Sequence, residues 1–438
     1  MNGAATAEAS RAPSSGRRAL RSVALARWET VLGAGAILVV ALHVVDDRFL
    51  QPQPGTSAGD HLVSGLVPLT ALLLFAAFYP RLRAGWRGSL AILFGVFGVV
   101  TGIEAVYYLQ AGSLSGDDYT GLLAIPAGLL LVGLGVRTLW CSRRSEGSRR
   151  RRYLRRVLTA VAVAVGAYVV VVPFLISYVF THAARAFVPA DRVGAAHEEV
   201  SFTTSDGLRL RGWYVPSKNG AAVISFPGRK GTQKPARILA QHGYGVLLFD
   251  RRGEGESEGD PNAFGWGGYR DVDAAVRFLE RRADVEPGRI GGIGLSVGGE
   301  MMLEATARNH KLDAMVSEGA GERSIREFFD MTPTSKWPGL PSFAAISAGA
   351  SLFSDGVPPP SLKDLSARIS PTPVFFIYGE HGQAGERNLN PQYYAAAGAP
   401  KLIWEVPGSG HVGGLDAQPE EYERRVVGFF NRTLLRQS

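Results

Sequence analysis

Five long runs of apolar residues dominate the first 180 positions of the chain. Each is close to the roughly 20 residues that a helix needs to cross the hydrocarbon core of a bilayer. The pattern predicts an all-α region of five transmembrane helices, which follows a disordered cytoplasmic tail over residues 1–27 and precedes a polar linker over residues 181–196. The predicted spans cover residues 28–45, 62–79, 89–108, 121–140 and 157–180.

A different pattern follows the linker, where short apolar runs alternate with amphipathic segments. Residues 198–204 and 208–215 alternate apolar and polar positions on either side of a Ser-Asp-Gly turn, which predicts a β-hairpin. Residues 221–226 form a short continuous apolar run, typical of a strand that is buried on both faces of a parallel sheet. Further runs of this kind are separated by helix-like segments. The alternation predicts a mostly parallel, doubly wound α/β sheet preceded by an antiparallel hairpin.

The distribution of arginine predicts how the spans are oriented. Residues 1–182 carry 18 Lys+Arg and 9 Asp+Glu, whereas residues 183–438 carry 29 and 30, so the net charge of +8 arises in the membrane region. The arginines concentrate before span 1, between spans 2 and 3 and between spans 4 and 5, and short loops rich in arginine stay in the cytoplasm. Five crossings then place the C-terminal domain outside the cell membrane. Because the excess charge lies beside apolar spans, it indicates topology and not a nucleic-acid partner.

The segment Gly294-x-Ser296-x-Gly298 lies between an apolar run and a helix-like segment. This is the pattern of a nucleophile elbow, a turn from strand to helix so sharp that glycine is needed on both sides of an exposed, strained serine. Ser296 is therefore the predicted nucleophile. Two other turns, after Phe226 and after Phe249, are expected at the same edge of the sheet, where open α/β sheets bind their ligands.

These motifs, in this order, resemble the α/β-hydrolase superfamily, and most of all its bacterial serine-aminopeptidase and dienelactone-hydrolase-like branch. The resemblance implies an α/β-hydrolase domain over residues 197–438, with a Pro-, Gly- and Phe-rich cap at about residues 320–368 that shapes an apolar pocket. It also implies a serine hydrolase whose triad occurs in the chain order serine, acid, histidine. The residues that carry the resemblance are Pro227-Gly228, Asp250-Arg251-Arg252-Gly253, Gly294-Leu295-Ser296-Val297-Gly298 and Gly410-His411.

The resemblance implies that His411 is the general base and that backbone N–H groups form an oxyanion hole. His411 follows a strand-like run in the last part of the chain, and His381, in the loop after residues 374–378, is interpreted as a solvated or substrate-facing group and not as the base. The other histidines lie in the membrane region, in the linker or in elements far from such a loop. Relatives often have His-Gly where this chain has Pro227-Gly228, but backbone donors do not depend on that side chain, so the amides of Val297 and Arg229 are the expected donors. The Arg229 and Lys230 side chains remain open to two interpretations, a solvated loop tip and an electropositive rim for an anionic substrate.

The acid of the triad is ambiguous. Relatives commonly carry an aspartate in the loop after the strand that corresponds to residues 374–378, but residues 379–388 contain none. Glutamate can orient the imidazole in the same way. Glu386 is preferred, because a position deeper in the loop gives the longer side chain room to reach back, and Glu380 beside the strand end is the alternative.

The predicted function is that of a membrane-anchored serine hydrolase, which cleaves an ester, thioester or amide bond in a small-molecule, lipid or peptide substrate through an acyl-enzyme. No cofactor or metal is expected, because the glycine runs lack the spacing of phosphate loops and no His-Glu-x-x-His is present. The sequence does not indicate an oligomeric state. The charged residues expected to be structural and not catalytic are Asp250, Arg252, Asp271 and Asp273.

Two alternatives from other functional classes remain open. The C-terminal domain could be a catalytically silent hydrolase fold used for binding. Alternatively, the chain could be a membrane carrier or lipid-handling protein with an accessory domain. In that case Glu104 and His43, which are ionisable residues of predicted spans, would be the functional ones.

Overall fold

The computed structural model describes residues 14–114, 116–142, 148–185, 187–188 and 194–435, without the side chains of residues 14–27, 149, 152, 156, 160 and 164. Parts of the predicted tail (residues 1–13), of the arginine-rich connection between spans 4 and 5 (143–147) and of the linker (186 and 189–193) lie outside the described residues. The chain divides into two compact units, one within Met1–Leu50 and Gly65–Ser148 and the other within Gln51–Ser64 and Arg149–Ser438.

This division differs from the sequence-based one in two places. The helix of the fifth predicted span and the connection between the first two spans both belong to the second unit, together with the C-terminal domain. Within the described residues, five helical stretches are long and apolar enough to cross a membrane, and each overlaps one predicted span. They are Trp28–Leu50, Ala58–Phe78, Ala84–Ala111, Asp118–Cys141 and Tyr153–Thr181.

The helices of the N-terminal part start earlier and break more often than the apolar runs suggest. The first helix begins at Ser14, so residues 14–27, predicted to be disordered, are helical. The third stretch consists of two helices that are interrupted at Gly102. The helices are α1 (Ser14–Val45), α2 (Leu62–Phe78), α3 (Ala84–Thr101), α4 (Ile103–Ala111) and α5 (Asp118–Cys141).

Helices α3 and α5 of the first unit pack closely because glycines face each other. A β-carbon on Gly95 would lie 2.6 Å from the carbonyl oxygen of Gly128, and one on Gly128 would collide in turn with the carbonyl oxygen of Gly95. Such close backbone approach is typical of helices that pack in lipid, where association depends on van der Waals contact and not on the hydrophobic effect.

The second unit contains an eight-stranded sheet and its flanking helices. The elements before the sheet are α6 (Arg149–Gly166) and α7 (Val172–Thr181). The strands are β1 (Glu198–Thr203), β2 (Arg209–Val215), β3 (Ala222–Phe226), β4 (Gly245–Phe249), β5 (Ile290–Leu295), β6 (Ala314–Glu318), β7 (Val374–Gly379) and β8 (Lys401–Val406). The helices are α8 (Lys234–Gln241), α9 (Tyr269–Leu279), α10 (Val297–Asn309), α11 (Ile325–Asp330), α12 (Pro333–Ser354), α13 (Leu362–Ser366), α14 (Ala384–Ala396), α15 (Gly414–Ala417) and α16 (Pro419–Phe430).

The strand order is β1-β2-β4-β3-β5-β6-β7-β8. Strand β2 is antiparallel to both β1 and β4, and the remaining pairs are parallel. The predicted hairpin and the predicted parallel sheet are therefore both present. The carboxyl ends of β3, β4, β5 and β7 point toward one edge of the sheet, which brings the loops after these strands together.

Two apolar cores cover the two faces of this sheet. Ala222 and Ile224 of β3 belong to one buried cluster, which also contains residues of α9, α10, α13 and α14. Val223, the residue between them, belongs to the other cluster, together with residues of α8 and α16. All five residues of β3 are buried, as the continuous apolar run predicts for a strand with helices on both sides. The C-terminal domain is thus an α/β domain of three layers.

Candidate active site

Ser296 lies at the sharp turn between β5 and α10. Its backbone adopts φ 51° and ψ −125°, a conformation that is strained for a residue with a side chain. Positions 294 and 298 have no room for a side chain. A β-carbon on Gly294 would lie 2.5 Å from the carbonyl oxygen of Gly298, and one on Gly298 would lie 2.8 Å from the Phe226 ring. The hydroxyl is consequently held at the edge of the sheet on a partly exposed residue.

The structure brings Ser296 together with His411 and Glu386. With the imidazole protonated at Nδ1, the Ser296 hydroxyl donates to His411 Nε2 over 2.9 Å and His411 Nδ1 donates to Glu386 Oε2 over 2.7 Å. The histidine belongs to the loop between β8 and α15, and its side chain is 27% exposed, whereas that of Glu386 is 1% exposed. This is the connectivity of a nucleophile, its base and a buried group that orients the base.

Glu386 reaches His411 from a helix and not from a loop. The sequence predicts a loop over residues 379–388, but α14 begins at Ala384, and Glu386 lies in its first turn. From there its carboxylate accepts hydrogen bonds from the backbone N–H of Gly379 (2.9 Å) and of Gln383 (3.2 Å). These contacts fix the carboxylate at the end of β7: Oε1 accepts from Gly379, and Oε2 accepts from both Gln383 and the His411 imidazole.

Glu380, the alternative acid, is placed elsewhere. It is exposed, and its carboxylate accepts a hydrogen bond from the backbone N–H of Gly408 over 2.9 Å. The neighbouring His381 is exposed too. The geometry therefore favours Glu386 of the two glutamates.

The expected oxyanion donors are the backbone N–H groups of Val297 and Arg229, which lie at the start of α10 and in the turn after β3. Val297 is the first residue of α10, whose initial N–H groups have no partner within the helix. Arg229 follows β3, and neither its amide nor that of Val297 donates to another described residue. Gly228 has φ 34° and packs so closely on the Phe249 carbonyl that a β-carbon would collide with it. The turn after β3 is thereby pressed against the end of β4.

The Arg229 side chain is not an electropositive rim. Its guanidinium, only 5% exposed, forms an ion pair with the buried carboxylate of Asp250 and contacts Glu256 Oε2 at 3.0 Å. It also lies 5.1 Å from the centroid of the Trp213 ring. Both interpretations from the sequence are wrong for Arg229, because its side chain is buried in an ion pair. The partner, Asp250, lies 21 positions further along the chain at the next strand end. Lys230 is exposed, with its ammonium 3.6 Å from Glu254.

The other charged residues near the strand ends make structural contacts, as predicted. Arg252 pairs with the fully buried Asp271 at 2.7 Å and with Asp206 at 2.9 Å. Asp273 accepts a hydrogen bond from the Asn309 side chain over 2.6 Å. Within the described residues, no group of three or more His, Cys, Asp or Glu side chains is arranged to hold a metal ion.

Glu318 is a residue of the site that sequence reasoning missed. Its carbonyl oxygen accepts from the Ser296 N–H over 2.7 Å, while its carboxylate accepts from the Gly414 N–H over 3.0 Å and from the Tyr422 hydroxyl over 2.6 Å. The elbow and the loop that carries His411 are thus held by the same residue. The sequence feature that could have revealed this strand is the short apolar run Ala314-Met315-Val316, the first three residues of β6.

Glu300 is a second ionisable residue close to the nucleophile, one turn further along α10. Its carboxylate accepts a hydrogen bond from the Gly321 N–H over 3.3 Å. Burial raises the pKa of the Glu300 carboxyl from 4.5 to about 7, against the opposing effect of Arg323 and with a further increase from Glu327. At neutral pH this group therefore takes up a proton more readily than an exposed glutamate does.

The raised pKa of Glu300 predicts that stability depends on pH. Below pH 4.5 the carboxyl is protonated in both the folded and the unfolded chain, and between about pH 4.5 and 7 only the unfolded chain loses the proton. Stability therefore falls as pH rises through this window, by at most about 3 kcal/mol. Glu300→Gln should remove this effect, so that the Tm of the variant rises relative to that of the wild type between pH 5 and pH 8. An unchanged Tm difference between the two proteins across this range would contradict the prediction.

Several known proteins are similar to this chain in sequence or in structure. The model of the X-Pro dipeptidyl-peptidase (S15) family matches residues 182–362. The uncharacterized protein Rv2307c of Mycobacterium tuberculosis (strain H37Rv) is 30% identical over 245 residues, which cover 54% of this chain and 79% of that protein. The uncharacterized protein YfhR of Escherichia coli (strain K12) is 27% identical over 247 residues, which cover 53% of this chain and 80% of that protein. Among solved structures, the Pyrococcus furiosus esterase Pf2001 matches with 22% identity and a TM-score of 0.48, over 59% of this chain and 99% of that one.

Proposed function

Because this chain belongs to the α/β-hydrolase superfamily, in one family with the mycobacterial protein Rv2307c, we propose that it is a membrane-anchored serine hydrolase. The observation that carries the proposal is the continuous hydrogen-bonded path from Ser296 through His411 to Glu386, with distances of 2.9 and 2.7 Å. The bond that it cleaves is an ester, thioester or amide.

The chemistry follows from the donors and acceptors at the site. His411 Nε2 accepts the hydroxyl proton as Ser296 Oγ forms a bond with the substrate carbonyl carbon. Glu386 holds the imidazole in the required tautomer and stabilises its cationic form. The amides of Val297 and Arg229 donate to the oxyanion, a contribution of about 2.7 to 4 kcal/mol for a single such donor in other hydrolases. His411 then gives its proton to the leaving group. A water molecule that His411 deprotonates attacks the acyl carbon, and as the bond to Ser296 Oγ breaks, His411 returns the proton to that oxygen.

Membrane anchoring is supported by the five apolar helical stretches. Contacts within the second unit bear on the membrane topology. The Gly259 N–H donates to the carbonyl of Pro54 over 2.8 Å, and the Arg185 guanidinium donates to the Gln53 side chain at 3.1 Å. The connection between the first two spans thus contacts the hydrolase domain, which supports a topology in which both lie on the same side of the membrane. Four spans separate them, an even number, and the arginine pattern assigns that side to the cell exterior.

A fluorophosphonate probe tests the proposed nucleophile, because it forms a covalent bond with serines activated by a neighbouring base. The full-length protein in detergent or membranes should be labelled, and Ser296→Ala should not. Ser205→Ala, which changes an exposed serine in the turn of the β-hairpin, serves as the matched control and should be labelled like the wild type. Absence of labelling in the wild type, or equal labelling of Ser296→Ala, would contradict the proposal.

Alkaline phosphatase fusions test the proposed orientation, because this enzyme is active only after export. A fusion at the C-terminus should be active, since the hydrolase domain is assigned to the exterior. A fusion after Ser142, at the start of the arginine-rich connection, should be inactive. The reverse pattern would place the hydrolase domain in the cytoplasm.

A further inference from the structure

The longest helix of the cap, α12, has an unusual composition for the surface of a soluble enzyme. No Asp, Glu, Lys, Arg or His occurs from Trp337 to Ser354. Large apolar side chains are nevertheless exposed on and beside this helix: Trp337 is 62% exposed and Phe329 is 56% exposed. A cap surrounded by water would carry polar residues on its outer face.

Helix α12 packs lengthwise on α7, the last part of the fifth apolar stretch. The Ser177 hydroxyl donates to the carbonyl oxygen of Ile346 over 2.8 Å. Gly349 allows the approach, because a β-carbon there would lie 2.7 Å from Ser177 Oγ. Further along, the buried Phe353 ring packs edge-on against Tyr178, with their centroids 5.2 Å apart. The two helices therefore form a close interface, and not a single point of contact.

This interface extends into the depth expected for the bilayer. The Ser342 hydroxyl donates to the carbonyl oxygen of Tyr168 at 3.5 Å. At a rise of about 1.5 Å per residue, Tyr168 lies about 18 Å along the helix from Arg156, the last residue of the arginine cluster. The hydrocarbon core is about 30 Å thick. If the arginines lie at the inner surface, the contacts of α12 begin inside the core and continue toward the outer surface.

The C-terminal end of α12 is tied to a second apolar stretch. Asp355, which follows the helix with φ 50°, accepts hydrogen bonds from the backbone N–H groups of Val63 (2.7 Å) and Ser64 (3.0 Å). These are initial N–H groups of α2, which have no partner within their own helix. The carboxylate therefore caps residues of the first turn of α2, which belong to the same unit as Asp355.

Another face of α12 packs on the apolar core of the hydrolase domain. Leu340 and Phe343 pack against the core cluster that contains Met301 and Met302 of α10, and Val297, the residue after Ser296, packs against the same cluster. The Phe343 ring lies 4.5 Å from that of Phe328, centroid to centroid. Helix α12 thus packs on α7 with one face and on the apolar core of the hydrolase domain with another.

We propose that α12 is immersed in the outer leaflet of the membrane and that the active site takes its substrate from there, as a long-chain acyl ester, thioester or amide dissolved in the bilayer. This inference rests on the proposed serine hydrolase function and membrane anchoring. Lipid hydrocarbon is the medium that covers the exposed apolar residues of α12, because the helix continues the surface of α7, which spans the same leaflet.

Nitroxide labelling tests the position of α12 without reference to activity. Cys141 is the only cysteine of the chain, so Cys141→Ser gives a background without reactive thiols. In proteoliposomes, a label on Ala348→Cys, an exposed position of α12, should be more accessible to oxygen than to a water-soluble nickel chelate. A label on Arg424→Cys, at a side chain of α16 that is 68% exposed, should show the reverse. Equal nickel accessibility at positions 348 and 424 would overturn the proposal.

A pair of adjacent substitutions tests the access of substrate. Gly349→Leu pushes α12 away from α7, whereas Ala348→Leu adds the same side chain on the exposed face. With a long-chain acyl ester in proteoliposomes, Gly349→Leu should be roughly tenfold less active than the wild type, which corresponds to a loss of about 1.4 kcal/mol of free energy. With water-soluble 4-nitrophenyl acetate, the activity of Gly349→Leu should equal that of the wild type. The activity of Ala348→Leu should equal that of the wild type with both substrates.

The outcomes separate the two proposals. If Gly349→Leu reacts with the fluorophosphonate probe but loses both activities equally, or loses neither, membrane access through α12 is wrong while the hydrolase function stands. If the wild type is neither labelled by the probe nor active on either ester, the hydrolase function itself fails. The nitroxide measurement still decides the position of α12 in each of these cases.

Discussion

Glu386→Gln is expected to lower kcat/KM by about 10⁴-fold, the effect of the corresponding acid-to-amide change in a serine protease. The glutamine would keep the shape of the side chain, and its single carbonyl oxygen could keep the contact with the Gly379 amide. Its NH2 group would then replace the oxygen that accepts from the Gln383 amide and from His411. The glutamine would therefore present an amide, in place of a carboxylate, to His411 Nδ1, and this favours the wrong tautomer and leaves the imidazolium without a counter-charge. The measurement is kcat/KM for an activated acyl ester that the wild-type protein hydrolyses.

Glu380→Gln provides the matched control for this prediction. The residue lies six positions earlier, is exposed, and contacts the Gly408 N–H. A glutamine oxygen can accept the same hydrogen bond, so kcat/KM should stay within about threefold of the wild type, as expected for a surface substitution. A large loss in Glu380→Gln together with a small loss in Glu386→Gln would assign the acid to the other glutamate and contradict the geometry described here.

Asp250→Asn should destabilise the hydrolase domain by about 3 to 5 kcal/mol, the usual result when one partner of a buried ion pair is removed. The Arg229 guanidinium is 5% exposed, and Asp250 supplies its buried counter-charge. The amide is nearly isosteric with the carboxylate, so the loss should come from the uncompensated charge and not from a cavity. The free energy of unfolding or the Tm of the purified protein measures the change.

The same arginine offers a control in Glu256→Gln. This carboxylate also contacts Arg229, but its side chain is 54% exposed. Exposed ion pairs contribute about 0 to 1 kcal/mol, so the stability of this variant should be close to that of the wild type. Since Arg229 also supplies a proposed oxyanion donor through its backbone, Asp250→Asn should lower the activity of the folded fraction, whereas Glu256→Gln should not. Equal stability losses in the two variants would show that the buried ion pair contributes no more to stability than the exposed one.

Much of this domain could be predicted because its signals are local. The elbow is readable from five consecutive residues, since the two glycines around Ser296 meet backbone atoms of the same turn or of the adjacent strand. The strands buried on both faces are readable as short apolar runs. His411 could be identified because it follows a strand-like run in the last part of the chain.

What the sequence did not reveal depends on contacts between distant segments. The first turn of α14 is Ala384-Gly385-Glu386, which has no apolar periodicity, so it was predicted as a loop. The burial of Arg229 depends on Asp250 at another strand end, and nothing in the residues beside the arginine shows this partner. Strand β6 is five residues long and was missed, and with it the role of Glu318.

Glu318 has a consequence for how the site responds to motion. Its carbonyl oxygen accepts a hydrogen bond from the backbone N–H of Ser296. Its carboxylate accepts one from the backbone N–H of Gly414, three residues after His411, and one from the Tyr422 hydroxyl. A shift of the central strand would therefore carry the alcohol and the imidazole in the same direction and by a similar amount. Two groups 115 positions apart in the chain would stay in register while their shared support moves.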